Sequence, residues 1–287
     1  MDKLFAEALQ MAGDSTNLLS WKRVTGGDIN DSYFLQTEEN VYFLKVLNSP
    51  PPRFFSIEKE GLETIRESRT LHTPRVFAIK DDGNYGFLLM EWVEGRKTKK
   101  TAELLGYGLA RMHQTPGPAH GYGKDTYIGK LPQKNGWYES WVDYYREKRL
   151  LPQLNLAAGK GLMPAELRMK GEKLLDHLDF WIPRQVMPSL LHGDLWGGNW
   201  MAGKGGTPYL IDPSILYGHN ELDLAFTDLF GGFPEEFYKA YHEDNPIPPD
   251  FREREPLYQL FYLLVHLNLF GRAYYSPVEK IIRQYTE

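Results

Sequence analysis

The chain has 287 residues, no cysteine, a net charge of −5, 42% hydrophobic residues and 25% charged ones. That suffices for one large domain or two lobes with a sizeable core. It excludes disulfides, thiolate zinc sites and cysteine nucleophiles, and its mild acidity gives no reason to expect nucleic acid or a membrane as partner. The N-terminal residues 1–7 are charged, without the apolar run of a signal peptide, so a cytoplasmic protein is expected. The most apolar segment, 257–270, is interrupted by Gln259, His266 and Asn268 and is too short to span a bilayer.

In chain order, residues 2–12 read as a short amphipathic helix with Leu4, Phe5, Ala8, Leu9 and Met11 apolar. A strand at 21–24 leads through Thr25, Gly26, Gly27, Asp28, Ile29, Asn30 and Asp31 into a strand at 32–36. Two glycines at a strand turn let the backbone approach a phosphate closely, although a plain hairpin is the commoner meaning. The next strand, 41–46, is apolar except for Lys45. A helix over 56–68 places Glu58 on one face with Leu62 and Ile65. A carboxylate on a core-facing stripe is costly unless it meets a cation, and Lys45 is the natural partner. Strands at 73–79 and 85–91 join at the turn 81–84, and the second runs into a linker, 91–95. The expected division is therefore 1–95 and 96–287.

Beyond Gly95 the periodicity turns helical. Leu104, Leu105, Gly108, Leu109 and Met112 form a core stripe ending at His113, which reads as a structural histidine. A glycine-rich loop, 121–135, precedes a helix expected over 136–151. Its Trp137, Trp141 and Tyr145 recur at helical spacing. Core packing is the first meaning of such a stripe, and the polar edges also suit the wall of a sugar site. Further helices are expected over 165–178, 222–230, around 237–242 and over 257–270. Glu221 and Asp223 at the start of the second of these read as structural supports.

Between these helices lies the densest chemistry. Leu190 and Leu191 lead into His192, Gly193, Asp194, Leu195, Trp196, Gly197, Gly198 and Asn199, and a later apolar run ends in Ile211 and Asp212. An H-x-D-x4-N loop followed by a strand ending in Asp is the layout of a kinase catalytic loop. There Asp194 takes the proton of the attacking hydroxyl, and Asn199 and Asp212 hold Mg²⁺ on the ATP phosphates. Hard oxygen ligands suit that ion, and phosphates and water complete its shell. Lys45 then stands where a kinase keeps its phosphate lysine, with Glu58 as partner. Gly26, Gly27 and Asn30 line the phosphates, and Glu91, Trp92 and Val93 offer main chain to the adenine. The four groups a pseudokinase would lack, Lys45, Asp194, Asn199 and Asp212, are all present.

The chain resembles the fructosamine kinase (ketosamine kinase) family, a branch of the aminoglycoside phosphotransferase fold. The resemblance rests on Gly26 to Asn30, Phe43 to Lys45, Glu58, and Leu89 to Glu91. It also rests on Ile128, Gly129, Pro132, Gln133, Asn135, Trp137, Trp141 and Arg149, and above all on His192 to Asn199 and Ile211 to Pro213. It implies an α+β, protein-kinase-like fold of two lobes, an N-terminal antiparallel sheet and a mainly helical C-terminal part. It also implies ATP-dependent phosphorylation of a sugar hydroxyl on a ketosamine, small or protein-borne. A monomer is the expected state, although the sequence does not fix it. His192, Trp196, Trp137 and Trp141 are the expected sugar contacts. An aminoglycoside, choline or homoserine kinase of the same fold is the alternative. Some members carry cysteine where this chain has Asp28, so no thiol switch operates in that loop, and no D-F-G motif follows Ile211.

Overall fold

A computed structural model describes residues 1–25 and 30–287. The chain forms two compact units: Met1–Leu105 with Asn199–Pro213, and Gly106–Gly198 with Ser214–Glu287. The first thus runs ten residues past the expected boundary at 95 and takes in a later segment.

The first unit is built on an antiparallel sheet of β1 (Leu18–Val24), β2 (Asp31–Thr37), β3 (Val41–Asn48), β4 (Val76–Asp81) and β5 (Tyr85–Glu91), in the order β1-β2-β3-β5-β4. Alternation in β3 sends Tyr42, Leu44 and Val46 into a core with Phe5, Ala8 and Leu9 of helix α1 (Asp2–Met11). Lys45 therefore faces the other way. Helix α2 (Phe54–Glu67) buries Phe54, Phe55, Leu62 and Ile65. Its N-terminus is held by a distant carboxylate. Asp81 accepts the Phe55 and Ser56 backbone N–H groups at 3.0 and 2.7 Å, pairing two of the donors a helix start leaves over. The 199–213 segment adds a hairpin, β11 (Trp200–Ala202) against β12 (Pro208–Leu210).

Helix α3 (Lys99–His113) carries the chain from the first unit into the second. There a four-stranded sheet has the order β10-β13-β6-β9, from β6 (His120–Tyr122), β9 (Gly136–Tyr138), β10 (Ser189–Leu191) and β13 (Leu216–Gly218). The expected loop 121–135 contains a small hairpin, β7 (Thr126–Ile128) with β8 (Leu131–Gln133). The expected helix from 136 is a correction. Gly136 adopts φ +151° and pairs with Tyr122, so Trp137 sits on a strand; the helical path starts only at Trp141, capped by Ser140. It continues as α4 (Trp141–Tyr144), a π-helical turn (Tyr145–Leu150) and α5 (Leu151–Gly159). Helices α6 (Ala165–Asp176), α7 (Glu221–Leu229), α8 (Glu235–Asp244), α9 (Phe251–Phe270) and α10 (Tyr275–Gln284) complete the unit, and α7 packs on α9. Among the described residues no helix is long and apolar enough to cross a membrane.

Candidate active site

In the first unit, Lys45 Nζ donates to Glu58 Oε1 at 2.6 Å, the pairing expected from the helix face. It also donates to Asp212, which the sequence had not paired with it. Burial opposes the charge on Lys45, but Asp212 and Glu58 outweigh it and hold the ammonium's pKa above its ordinary value. Burial pushes Glu58 up to about 7, helped by repulsion from Asp212 and opposed by Lys45. One cation shared by two carboxylates only partly offsets the burial of Glu58.

Asn199 and Asp212 close the open end of the β11–β12 hairpin. The Asn199 carbonyl accepts the Ile211 N–H at 3.0 Å, beside the Trp200–Leu210 pair. Asp212 follows in the left-handed region, φ +56°, a conformation costly for a non-glycine residue and frequent at functional sites. Its side chain remains 40% exposed. Two oxygen-bearing side chains on adjacent chain ends fit Mg²⁺, which needs few protein ligands.

Around the nucleotide residues the picture is mixed. Gly26 and Gly27 lie outside the described residues. Asn30 Oδ1 is buried without a hydrogen-bond partner among the described residues. Glu91 donates its N–H to the Arg75 carbonyl at 2.8 Å, so of its main-chain groups only the carbonyl could face an adenine edge. Trp92 stacks edge-on against Phe34 at 4.8 Å and bonds Glu94 through Nε1, while Val93 is buried.

In the second unit the 192–194 loop is fixed through its backbone. One buried carboxylate, Asp223 on α7, accepts the N–H of His192 at 2.7 Å and of Gly193 at 2.9 Å. His113 Nε2 stands 3.2 Å from the same carboxylate, and its Nδ1 meets Tyr241 Oη at 2.8 Å. Tyr262 Oη donates to the Gly193 carbonyl at 3.2 Å, and the Ser214 N–H to the His192 carbonyl at 2.8 Å. Gly193 has φ +78°, and a Cβ there would lie 2.0 Å from the Ser214 carbonyl oxygen, so only glycine fits. These contacts aim a half-buried Asp194. Burial first, then the charges of Asp223 and Asp194, raises the Tyr262 hydroxyl well above its usual value and keeps it a donor. Tyr262 and Ser214 were missed in the sequence. The signal for Tyr262 was a tyrosine within the apolar run 260–265 of that helix, where a buried hydroxyl needs a partner.

Of the expected sugar contacts, two are corrected. Trp141 is 0% exposed, stacked on Tyr144 and Tyr145, with Nε1 donating to Tyr258 Oη at 3.2 Å; it is core. His192 is also wholly buried, and its Nδ1 accepts the Asp194 N–H at 3.3 Å. That bond puts the ring hydrogen on Nε2 and makes His192 an organiser of the loop. Trp137 and Trp196 are 45% and 40% exposed and open to a ligand.

The fructosamine kinase family model matches residues 1–287. A probable ketoamine kinase of Synechocystis is 38% identical over 280 residues, 96% of this chain and 93% of that protein. A chloroplastic protein-ribulosamine 3-kinase of Arabidopsis thaliana is 35% identical, over 95% of this chain and 84% of that one. The crystal structure of a putative fructosamine-3-kinase from Thermobifida fusca superposes with a TM-score of 0.88 at 32% identity, covering 99% and 98% of the two chains. A putative aminoglycoside phosphotransferase of Ralstonia eutropha shares the fold at 16% identity, with a TM-score of 0.62 over 100% and 99% of the chains. With its antiparallel sheet and helical remainder, the protein is α+β and protein-kinase-like, and the chain belongs to the fructosamine kinase family.

Proposed function

We propose that Asp194 is the base, Lys45 with Glu58 the phosphate anchor, and Asn199 with Asp212 the metal ligands of an ATP-dependent ketosamine kinase acting as a monomer in the cytoplasm. The chain is a kinase, ATP is its phosphoryl donor, and it phosphorylates ketosamines. The full-length match of residues 1–287 to fructosamine kinases carries the reading. The residue roles rest on the geometry: Lys45 meets both Glu58 and Asp212, and Asp223 fixes the loop that bears Asp194.

The carboxylate of Asp194 accepts the proton of a sugar hydroxyl as that oxygen bonds the γ-phosphorus. The bond from the γ-phosphorus to the β–γ bridging oxygen breaks, and ADP leaves. Lys45 donates to phosphate oxygens, with Glu58 fixing its position. Mg²⁺ held by Asn199 and Asp212 would neutralise charge on the phosphates. The hydroxyl attacked is O3 of the ketose, the position in the ribulosamine 3-kinase name of the plant relative. Trp196 and Trp137 offer exposed rings to the sugar or to the amine-bearing remainder of the substrate.

ADP release with ε-fructosyl-lysine, ε-ribulosyl-lysine, free fructose, choline and kanamycin tests the substrate class. Turnover of one or both lysine adducts at least tenfold above the other compounds is expected. Equal or better turnover of choline or kanamycin contradicts the ketosamine assignment.

A further inference from the structure

Helix α2, which carries Glu58, has no cap of its own. Its N-cap position is Arg53, in the left-handed region at φ +61° and without a side-chain cap bond, and its first turn holds no acid. Arginine is not a capping residue, and a cation there faces the positive end of the helix dipole. The sheet supplies the cap instead. Asp81, the last residue of β4, accepts the N–H groups of Phe55 and Ser56, the second and third residues of the helix, at 3.0 and 2.7 Å. These are the donors that an N-cap side chain would meet. Ser56 Oγ donates to the same carboxylate at 2.7 Å.

A cap inside a helix stabilises it wherever it lies. A cap on another element stabilises it in one place only. The strand registers define that place. Lys45 of β3 stands opposite Leu88 of β5, and Leu88 opposite Ile79 of β4. Residues directly opposite share a face and side chains alternate along a strand, so Ile79 and Asp81 lie on the face that carries Lys45. Helix α2 packs on β4 and β5. Two polar links then join it to the sheet: Asp81 holds its end at Phe55 and Ser56, and Lys45 holds its flank at Glu58. An end and a flank together fix both the advance of the helix along its axis and its rotation.

We propose that Asp81 is a positioning residue of the kinase, which caps α2 from the sheet and so sets Glu58 where it holds Lys45 for the ATP phosphates. The inference rests on the reading of Lys45 with Glu58 as the phosphate anchor. Without the cap, the end of α2 is released from β4, and Glu58 meets Lys45 in only a fraction of the molecules. The affinity for ATP falls by that fraction.

The test is a double-mutant cycle read on the dissociation constant of ATP in the presence of Mg²⁺, by calorimetric titration. The proteins are the intact chain, Asp81→Asn, Ser56→Ala, Glu58→Gln, and Glu58→Gln combined with each of the other two. Asp81→Asn keeps the side chain's size and loses its charge and one acceptor. It should weaken ATP binding about 3- to 30-fold, the usual weight of a helix cap. Ser56→Ala keeps both backbone bonds and should weaken it about 2- to 10-fold, the weight of one hydrogen bond. KM for ε-fructosyl-lysine should not change. In the Glu58→Gln background neither substitution should weaken ATP further, because the link through which it acts is already broken. A cap that serves stability alone lowers the unfolding midpoint and leaves ATP affinity as it was, and that result with both single variants overturns the proposal. So does a loss of ATP affinity that recurs undiminished in the Glu58→Gln background. Should Asp81→Asn fail to fold, Ser56→Ala decides by the same two criteria. A Glu58→Gln protein that binds ATP like the intact one would instead defeat the anchor reading beneath the proposal.

Discussion

Asp223 engages two backbone N–H groups and a histidine with one carboxylate, and each of those partners is buried. Its removal strands the donors of His192 and Gly193 in the core, where an unmet polar group costs about 1–3 kcal/mol. Asp223→Ala is therefore expected to lower stability by roughly 2–5 kcal/mol in urea unfolding and to abolish measurable turnover, though Asp223 touches no substrate. Unchanged stability would mean that the loop is held by Tyr262 and Ser214 alone. At this scale the sequence was partly legible. Glu58 could be paired with Lys45 because helical spacing places it on the Leu62–Ile65 face. The second partner of Lys45, Asp212, could not be read, because it lies 167 residues away on another element. The role of His192 was misjudged for a related reason: its burial depends on neighbours contributed from far along the chain.

The elements were legible where a single period dominates. Helices α1, α2, α6 and α9 and the strands of the first sheet follow from 3.6- or 2-residue patterns. The 136–151 segment misled because Trp137, Trp141 and Tyr145 keep helical spacing across a change of structure. Pairing of Gly136 with Tyr122 decides the strand, and that contact is not local. The start of α7 supports a pH prediction. His219 Nδ1 lies 2.7 Å from Tyr258 Oη and 3.5 Å from Glu221, whose carboxylate is already held by two nitrogens of Arg254. Burial first, then repulsion from Arg254, depresses His219 to about 3. An unfolded histidine titrates near 6.5, so between there and about 3 the unfolded chain holds a proton that the native one lacks. The stability contributed by neutral His219 is complete above pH 6.5 and declines with acid by about 1.4 kcal/mol per pH unit. His219→Asn should accordingly close the gap to the parent protein by roughly 2 kcal/mol between pH 7 and pH 5 in urea unfolding. A gap that does not change with pH would show that His219 titrates alike in the folded and unfolded chain.

At the scale of the whole molecule, the residues of the proposed mechanism are distributed along the chain. The first unit carries Lys45, Glu58, Asn199 and Asp212, and the second carries Asp194 with its supports. Asp194 and Asn199 stand five residues apart in the chain and belong to different units. The motif reading names both, because their spacing is a property of sequence. It did not find the boundary at Leu105, because α3 is one uninterrupted helix with no break in its pattern. ATP should raise the thermal midpoint more with Mg²⁺ than with EDTA, and Asn199→Ala or Asp212→Ala should erase that difference. An equal rise with Mg²⁺ and EDTA in the intact protein would remove the metal assignment.

Asp194 is the residue on which the proposed mechanism turns, and Asp194→Asn tests it most directly. Steady-state turnover of ε-fructosyl-lysine with ATP should fall about 100- to 10,000-fold, the usual weight of general-base transfer. ATP affinity and thermal midpoint should stay near those of the parent. Turnover within a few-fold of the parent enzyme would contradict Asp194 as the base.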